Sequence, residues 1–529
     1  MPRSGPAAFL WGISLILSGH PAYGTLGAYT HPGFLGKVRG IACLLFHCEQ
    51  GCELGDEVVG GRVEDDAVEV VVPRRKKAWE ASLGGEIAAR PHVAARVVAL
   101  PSGRPGRPLP DDDRELVMRL ARDTWRGLDS LIDREHQLPI DHVHLGQRPG
   151  DLRVGDYANV TTIGLRLVSI VAAHELGFLS RSQAADRLRA VLATLATLET
   201  YEGFFYNYYD TTSLERTSNL ISFVDSSWLT AGLMVTRQAF PELAPDASRL
   251  IDGASYRFFY DERLGRMAHG YWVQRESPSR YHYGMLYAES RLGSLIAIGK
   301  GDVPESHWYR MARTLPATCG WQRREPVERR EKRIGGERFY GGWYTWENER
   351  FVASWGGSMF EALMPTLVLD EARLAPASLG ANDAAHAAVQ RRWALETLGY
   401  PVWGLSPSMA PGTGEYREFG AHPLGVLGYE GGAVTPHASA LVLPLDLHGA
   451  AANLRLLAER WPVYGDFGFY DAVDPQASAV AKSYLTLDQS MIFLAAANAL
   501  TDGAVQRHFA ADPIVARVLP LLAAERFFD

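Results

Sequence analysis

Residues 182–200, "SQAADRLRAVLATLATLET", carry the clearest periodic pattern in the chain. Leu188, Val191, Leu192, Leu195 and Leu198 recur at i, i+3, i+4, i+7 and i+10, which places them on one face of a helix. An apolar helical face is stable only when it packs against another element. The stretch therefore predicts an α-helix that belongs to a larger helical body.

The same periodicity recurs along most of the chain and predicts roughly a dozen helices. Besides 182–200, the predicted helical segments are 112–133, 161–178, 219–238, 245–261, 281–299, 303–313, 358–372, 384–399, 434–446, 448–460, 478–502 and 513–526. One region, 333–355, alternates in the manner of one or two β-hairpins. The pattern predicts an all-α fold with a small β-hairpin insertion.

The joints between these helices are rich in aromatic residues, glycine and carboxylates. "GFFYNYYD" (203–210), "FYGGWYTWENE" (339–349) and "GDFGFYDAVD" (465–474) are examples. Sugar C–H faces pack on aromatic rings, and sugar hydroxyls bond to carboxylates, although core packing is the commoner role of any single ring. Helices that alternate with such loops suggest a toroid of helix pairs whose loops meet in one carbohydrate-binding cleft.

Charge and hydropathy exclude several classes of partner. The formal net charge of −8 over 529 residues argues against nucleic-acid binding, which needs a basic face. No uninterrupted apolar run is long enough to span a membrane.

Residues 1–24 resemble a weak secretory signal, which implies a periplasmic or secreted protein if it is functional and a cytoplasmic one otherwise. Residues 25–110 predict a region of low order, and 111–529 the folded domain.

Seven carboxylates beside aromatic residues or glycines are candidates for a glycosidase site. Two carboxyl groups must flank a scissile glycosidic bond, and the one that acts as acid needs a raised pKa, which burial supplies. Each candidate taken alone has a structural alternative, as a helix cap or a satisfied buried group. The seven are Asp210, Asp225, Glu289, Glu361, Asp471, Asp474 and Asp488.

Several sequence blocks, in this order, resemble the bacterial glucoamylase-like domain of endo-β-1,2-glucanases and cyclic β-1,2-glucan synthases. They are "NVTTIGLRLVSIVAAHELGFLS", "GFFYNYYDT", "FVDSSWL", "YAESRLGSLIAIGKGDVPESHW", "SWGGSMFEALMP", "WGLSPS", "VTPHASALVLPLD" and "GFYDAVD". The resemblance covers about residues 112–505. It implies an (α/α)6 toroid that acts on β-1,2-linked glucan.

The resemblance also implies roles for individual residues. Glu289, in "AESR", matches the family's general acid. The retaining branch carries its nucleophile in a "WGISES" block, whereas this chain has "WGLSPS" with Pro407 at the glutamate's place. "GFYDAVD" and "TLDQSM" instead resemble the inverting hydrolases, which makes Asp471 the predicted base, with Asp225 or Asp474 as fallback.

The remaining predictions concern substrate contacts and cofactors. Predicted substrate-binding residues are Asp210, Asp225, Trp228, Tyr287, Arg291, Trp355, Glu361, Trp403, Tyr416, Tyr470 and Gln489. For Glu361, a structural bond to loop backbone is the alternative. No cofactor and no metal are predicted, because the spacing of Asp141, His142 and His144 favours packing or capping.

Together these observations predict an inverting β-1,2-glucan hydrolase with a glucan oligo- or polysaccharide as its substrate. A β-1,2-glucan transglycosylase that recruits another nucleophile is the first alternative. A catalytically inactive glycan-binding homologue is the second, and Pro407 is the argument for it. A serine hydrolase is disfavoured, because "WGLSPS" lacks the G-x-S-x-G turn.

Overall fold

The computed structural model describes residues 96–146, 152–320 and 322–529. The α-helices are α1 Asp113–Ser130, α2 Val160–Glu175, α3 Arg181–Leu195, α4 Phe223–Ala239, α5 Ala244–Asp252, α6 Arg291–Lys300, α7 Ser306–Arg310, α8 Met359–Leu363, α9 Glu371–Leu374, α10 Leu379–Arg392, α11 Pro436–Ala440, α12 Leu447–Arg460, α13 Thr486–Thr501, α14 Ala504–Ala510 and α15 Pro513–Ala523.

Short strands occupy many of the joints between helices. They are β1 His142–Leu145, β2 Leu152–Gly155, β3 Tyr157–Asn159, β4 Thr200–Tyr201, β5 Phe204–Phe205, β6 Tyr208–Asp210, β7 Leu220–Ser222, β8 Tyr260–Asp261, β9 Arg266–Ala268, β10 Gly270–Trp272, β11 Ser277–Pro278, β12 His282–Tyr283, β13 Glu328–Ile334, β14 Glu337–Trp346, β15 Glu349–Phe351, β16 Ser408–Met409, β17 Tyr416–Arg417, β18 Tyr464–Gly465, β19 Gly468–Phe469, β20 Ala472–Asp474, β21 Ala479–Ala481 and β22 Ser483–Leu485. The protein is therefore helix-rich rather than all-α.

The opening stretch forms a helix as its periodicity predicts. Helix α3 begins after Ser180, whose hydroxyl accepts a hydrogen bond from the Gln183 amide, while the Gln183 side chain accepts one from the Ser180 amide. Leu188, Val191 and Leu192 are buried along its inner face. The predicted hairpin region is also confirmed, because β13, β14 and β15 form one antiparallel sheet.

Two predicted helices start later than the periodicity suggests. The segment 281–299 becomes helical only at Arg291, because β12 and an irregular loop precede it. The segment 478–502 becomes helical at Thr486, after β21 and β22. Strands of two or three residues contain too few alternations to produce a period-2 signal, so the prediction of few strands outside 333–355 is wrong.

The core is formed where long helices pack closely. Helix α2 packs against α4 and α13, and α13 also packs against α1. At the α2–α4 crossing a Cβ on Gly164 would lie 2.4 Å from the Trp228 carbonyl oxygen, and one on Gly232 would lie 2.4 Å from the Gly164 oxygen. Glycine at both positions allows this backbone contact, which no larger residue could make.

Residues 96–110 contain almost no regular secondary structure, yet they lie against the helical body. The Val98 and Ala99 amides donate to the carbonyls of Ile132 and Ser130, and the Gly106 amide donates to Tyr464. The predicted signal and most of the predicted low-order region, residues 1–95, lie outside the described residues. No helix in the described ranges combines the length and hydropathy needed to cross a bilayer.

Candidate active site

Glu289 lies immediately before α6, in the loop that follows β12. Its side chain is half-buried. Burial and the negative charge of Glu361 raise the pKa of Glu289 to about 7, with a smaller contribution from Asp225, and the nearby Arg291 opposes the rise. A carboxyl group that keeps its proton near neutral pH and still reaches solvent is suited to general-acid catalysis.

Three side chains surround this glutamate. Asp225, in the first turn of α4, is half-buried and accepts a 2.7 Å hydrogen bond from the Thr161 hydroxyl. Burial raises the pKa of the Tyr283 hydroxyl, and the negative charges of the nearby Glu289 and Asp225 raise it further. Burial and the charges of Glu418, Glu361 and Glu289 likewise raise the pKa of Tyr429.

Glu361 is held by its own loop rather than open to a ligand. Its carboxylate accepts hydrogen bonds from the Gly356 amide at 2.9 Å, the Ser358 amide and hydroxyl at 2.9 Å, and the Ser354 hydroxyl at 3.1 Å. With Ser358 it forms the capping box of α8. These contacts match the alternative given for Glu361, a structural bond to loop backbone. Glu361 affects the site through its negative charge, which raises the pKa of Glu289.

The segment 401–409, which contains Pro407, supports the second carboxylate group. The Ser406 hydroxyl accepts from the Phe360 amide at 3.2 Å, and β16 pairs with β17, the strand of Tyr416. The Met409 amide, two residues after Pro407, donates to Oδ2 of Asp471 at 2.6 Å. The segment that lacks the retaining nucleophile thus orients the predicted base.

Asp471 shares its buried position with Asp488 and His437. One ligand atom from each of the three side chains lies within 4.8 Å of the others, and each residue is at most 2% exposed. Burial and the charge of Asp488 raise the pKa of Asp471 well above its ordinary value. Burial alone lowers the pKa of His437 to about 4, although Asp471 opposes the shift. An imidazole and two carboxylates are groups that can hold a metal ion.

Tyr416 connects the two carboxylate groups. Its hydroxyl pKa is raised by burial and by the charges of Asp488, Asp471, Glu418 and Tyr208. The pKa of Tyr208 is in turn raised by burial and by Asp141 and Asp225. Since Asp225 also acts on Glu289, one continuous set of neighbours runs from the predicted acid to the predicted base.

Arg291, predicted as a substrate contact, lies in the interior of the protein. Its guanidinium is fully buried and pairs with Glu371 at 2.8 and 2.9 Å, and it also donates to the carbonyls of Glu361 and Ala362. Tyr287 is also fully buried and donates to Asp383 at 2.6 Å. Both side chains are buried in the core, whereas Glu289, between them in the sequence, is half-buried.

Other predicted substrate contacts also lie in the interior. Trp228 and Trp355 are 1% exposed, and Trp403 is 3% exposed. Tyr470 and Gln489 are buried, and the Gln489 amide donates to the Phe469 carbonyl. The segments "FVDSSWL", "SWGG" and "PVWG" place their tryptophans in the interior in this conformation, and Asp471 is buried to a similar extent. Substrate contact by these residues stays a prediction. Tyr416 and Asp225 remain partly exposed.

Two predicted aspartates have structural partners in turns. Oδ1 of Asp210 accepts from the amides of Thr212 and Ser213, and Oδ1 of Asp474 accepts from those of Gln476 and Ala477. Both patterns are Asx turns. At Asp141, the carboxylate lies 2.9 Å from Nδ1 of His142, a local pair at the start of β1.

Four neighbours of the two carboxylate groups were not predicted from the sequence: Tyr283, Glu418, Tyr429 and His437. Desolvation and the charge of Glu361 raise the pKa of Glu418 to about 7, although part of its surface is open to solvent. Tyr283 stands in "YHYGMLYAES", six residues before Glu289, and its proximity in sequence is a usable signal. His437 stands in a quoted family block, but no local pattern links it to Asp471 or Asp488.

Comparison with known proteins confirms the predicted resemblance to glucoamylase-like proteins. The family model described as "Putative glucoamylase" matches residues 337–513. The cyclic β-(1,2)-glucan synthase NdvB of Rhizobium meliloti is 28% identical over 317 residues, which cover 55% of this chain and 10% of that protein. The chain thus spans about a tenth of the length of this curated relative.

Solved structures identify the class of fold. The endo-β-1,2-glucanase of Chitinophaga pinensis, solved with sophorotriose and glucose, aligns with a TM-score of 0.61 at 17% identity, covering 78% of this chain and 98% of that one. The β-1,2-glucanase of Parabacteroides distasonis aligns with a TM-score of 0.64 at 17% identity, covering 79% and 61%. The chain has the fold of these glucanases.

Proposed function

We propose that this protein is a glycoside hydrolase that cleaves β-1,2-linked glucan with inversion of configuration. The observation that carries the proposal is Glu289: a carboxyl group accessible to solvent with its pKa raised to about 7 by burial and by Glu361. The β-1,2-glucan substrate is inferred from the two glucanases that share the fold and from the resemblance to a cyclic β-(1,2)-glucan synthase.

In this mechanism Glu289 donates its proton to the glycosidic oxygen as the bond from that oxygen to the anomeric carbon breaks. Water attacks the opposite face of the sugar, and its proton passes to Asp471, directly or through a further oxygen. Asp471 and Asp488 lie close together, so only one of their two carboxyl groups is ionised when no positive partner is present. The ionised carboxylate accepts the proton of the attacking water.

Pro407 favours inversion over retention. A proline side chain has no group that attacks an anomeric carbon, and its neighbours Ser406 and Ser408 are fully buried. The segment instead holds Asp471 through the Met409 amide. This role is consistent with a base that acts on water rather than with a covalent glycosyl intermediate.

The finer structural and cellular assignments belong to the same proposal. Residues 111–529 form one catalytic domain, an (α/α)6 toroid whose loops meet at Glu289 and Asp471. If residues 1–24 act as a secretory signal, the enzyme works in the periplasm or outside the cell, and otherwise in the cytoplasm. Tyr416 and Asp225, which lie between the two carboxylate groups and are partly exposed, contact the substrate.

The test compares E289Q with the matched variant E459Q, a substitution at an exposed glutamate in α12. Removal of a general acid lowers turnover by about 10²–10⁴-fold. We therefore expect that loss in reducing-end release from β-1,2-glucan for E289Q and an unchanged rate for E459Q. Equal turnover of E289Q and the wild type would exclude Glu289 as the acid.

Product analysis separates hydrolysis from the second candidate, transglycosylation, which the similarity to NdvB favours. Hydrolysis shortens β-1,2-glucan, and NMR of the first product would show the inverted anomer. Longer or cyclic products would support transfer, and a retained anomer would contradict the role given to Pro407. Oligosaccharide binding without any release of reducing ends would support the inactive homologue.

A further inference from the structure

The side chains of His437, Asp471 and Asp488 converge from three separate elements. His437 belongs to α11, Asp471 stands between β19 and β20, and Asp488 lies in the first turn of α13. One ligand atom of each lies within 4.8 Å of the other two. This spacing suits ligands around one ion, because metal–ligand bonds of about 2.0–2.4 Å hold neighbouring ligand atoms about 3–4.8 Å apart.

Few hydrogen-bond donors reach the polar atoms of this cluster. Nδ1 of His437 lies 3.2 Å from Oδ2 of Asp488, yet the two atoms do not form a hydrogen bond. Both carboxyl oxygens of Asp488 and Oδ1 of Asp471 are buried and accept no hydrogen bond from an N–H or hydroxyl group, so the two carboxyl groups can satisfy each other only through a shared proton. Four unpartnered atoms in one buried cluster are exceptional, since native proteins pair nearly all buried polar atoms.

The cluster also lacks a compensating charge. Among residues 96–146, 152–320 and 322–529, no lysine or arginine forms an ion pair with Asp471 or Asp488. Glu361, which is similarly buried, accepts hydrogen bonds from four donor groups. Buried carboxylates are paired, hydrogen-bonded or bound to metal, and the first two conditions are largely unmet here.

We infer that His437, Asp471 and Asp488 bind one divalent cation, a first-row transition metal such as Zn²⁺ or Mn²⁺. One imidazole with two carboxylates suits these ions, whereas Ca²⁺ prefers a shell of oxygen ligands alone. The Met409 amide, which donates to Oδ2 of Asp471 at 2.6 Å, orients that ligand and leaves Oδ1 for the cation. The sequence prediction of no metal rested on local spacing, which cannot reveal ligands 34 and 51 residues from His437.

A cation at this position would have Asp471, the proposed base, as one of its ligands. Three protein ligands leave coordination positions for water, and a bound cation makes that water more acidic. The assignment of the cation site rests on side-chain geometry and needs no assumption about the substrate. It therefore stands or fails separately from the proposed glucan hydrolysis.

The test uses the full-length chain, dialysed against EDTA and then equilibrated separately with Zn²⁺, Mn²⁺ and Ca²⁺. Bound metal is measured by mass spectrometry of the dialysed protein and by titration calorimetry. The variants are H437Q and D488N, with H508Q as a matched control. His508 lies 2.9 Å from the Glu175 carboxylate, a histidine–carboxylate pair on the surface with no third ligand.

We expect about one equivalent of Zn²⁺ or Mn²⁺ in the wild type and in H508Q, and at least tenfold weaker binding in H437Q and D488N. Circular dichroism checks that both variants are folded. Absence of a bound equivalent in the wild type with all three ions would overturn the inference, and a proton shared by the two carboxyls would then occupy the cluster. Unchanged affinity in H437Q and D488N would overturn it as well.

A parallel glucan assay distinguishes this failure from failure of the proposed function. Hydrolysis by a wild type that binds none of the three ions contradicts the cation site alone. Stoichiometric binding without hydrolysis of β-1,2-glucan contradicts the proposed activity alone.

Discussion

Two buried clusters of charged residues differ in how completely their charges are compensated. Arg291 and Glu371 are both fully buried and form two hydrogen bonds of 2.8 and 2.9 Å, and the guanidinium satisfies its remaining donors on backbone carbonyls. His437, Asp471 and Asp488 are buried to a similar extent, but four of their polar atoms lack partners. The Arg291–Glu371 pair is satisfied within the protein, although Oδ2 of the adjacent Asp383 lacks a partner, whereas the second cluster contains no positive side chain that pairs with its carboxyl groups.

This difference separates a structural role from a functional one. A buried ion pair with good geometry holds its elements in place, and removal of one partner leaves an uncompensated charge. An unpaired cluster costs stability, and such costs are concentrated at functional sites. The sequence did not distinguish the two clusters, because Arg291 and Asp471 are both charged residues that stand near aromatic residues.

The largest expected effect concerns the compensated cluster. E371Q removes the negative partner of Arg291 and leaves the guanidinium buried without it, so we expect the free energy of unfolding to fall by about 3–5 kcal/mol. Urea unfolding followed by circular dichroism measures this change. The matched control is E199Q, which breaks the more exposed pair of Glu199 with Arg216 and should change stability by less than about 1 kcal/mol. A similar small change in E371Q would mean that the two clusters do not differ as described.

The next effect concerns the uncompensated cluster. D471N removes a proposed base but retains an oxygen that accepts from the Met409 amide. We expect turnover of β-1,2-glucan to fall by at least about 100-fold, while the free energy of unfolding stays the same or rises because one uncompensated carboxyl is lost. D186N, at an exposed aspartate of α3, serves as the control for both measurements. Loss of stability without loss of activity would assign Asp471 to the structural class.

A smaller effect tests the electrostatics of Glu289. The acid must be protonated, and its pKa is raised to about 7, so the alkaline limb of kcat/KM should have its midpoint near pH 7 and fall about tenfold per pH unit above it, while protonation of the buried base sets a separate acidic limb. An ordinary glutamic acid would lose its proton, and the enzyme its activity, more than two pH units lower. A pH–rate profile of the wild type measures the midpoint, and a fall that begins between pH 4 and 5 would contradict the raised pKa.

The smallest effect concerns Asp225, whose negative charge helps to raise the pKa of Glu289. D225N removes that charge, so the midpoint of the alkaline limb should move to lower pH by less than about one unit. D210N is the control, because Asp210 caps a turn and is not among the groups that shift Glu289. An unchanged midpoint in D225N would show that the two carboxyl groups are too far apart to interact.

The sequence predicted the elements whose signal is local. The helix over 182–200 follows from a 3.6-residue repeat of leucine and valine. The β13–β14–β15 sheet follows from strands long enough to alternate. Glu289, Asp471 and Asp488 were recognised as candidates from their aromatic or apolar surroundings. Their proposed roles came from longer blocks that resemble a family, and they remain to be tested.

Tertiary structure decided which side chains face one another. Arg291 and Glu289 stand two residues apart, yet Arg291, the first residue of α6, is fully buried and Glu289, in the loop before α6, is half-buried. Residue type alone does not predict this difference. His437 meets Asp471 and Asp488 because α11, the β19–β20 turn and α13 pack together. Local periodicity encodes burial within an element, whereas charge compensation depends on contacts between elements far apart in the chain. The sequence alone therefore determined the helices and the candidate carboxylates, and only the packed chain decided which charges are compensated.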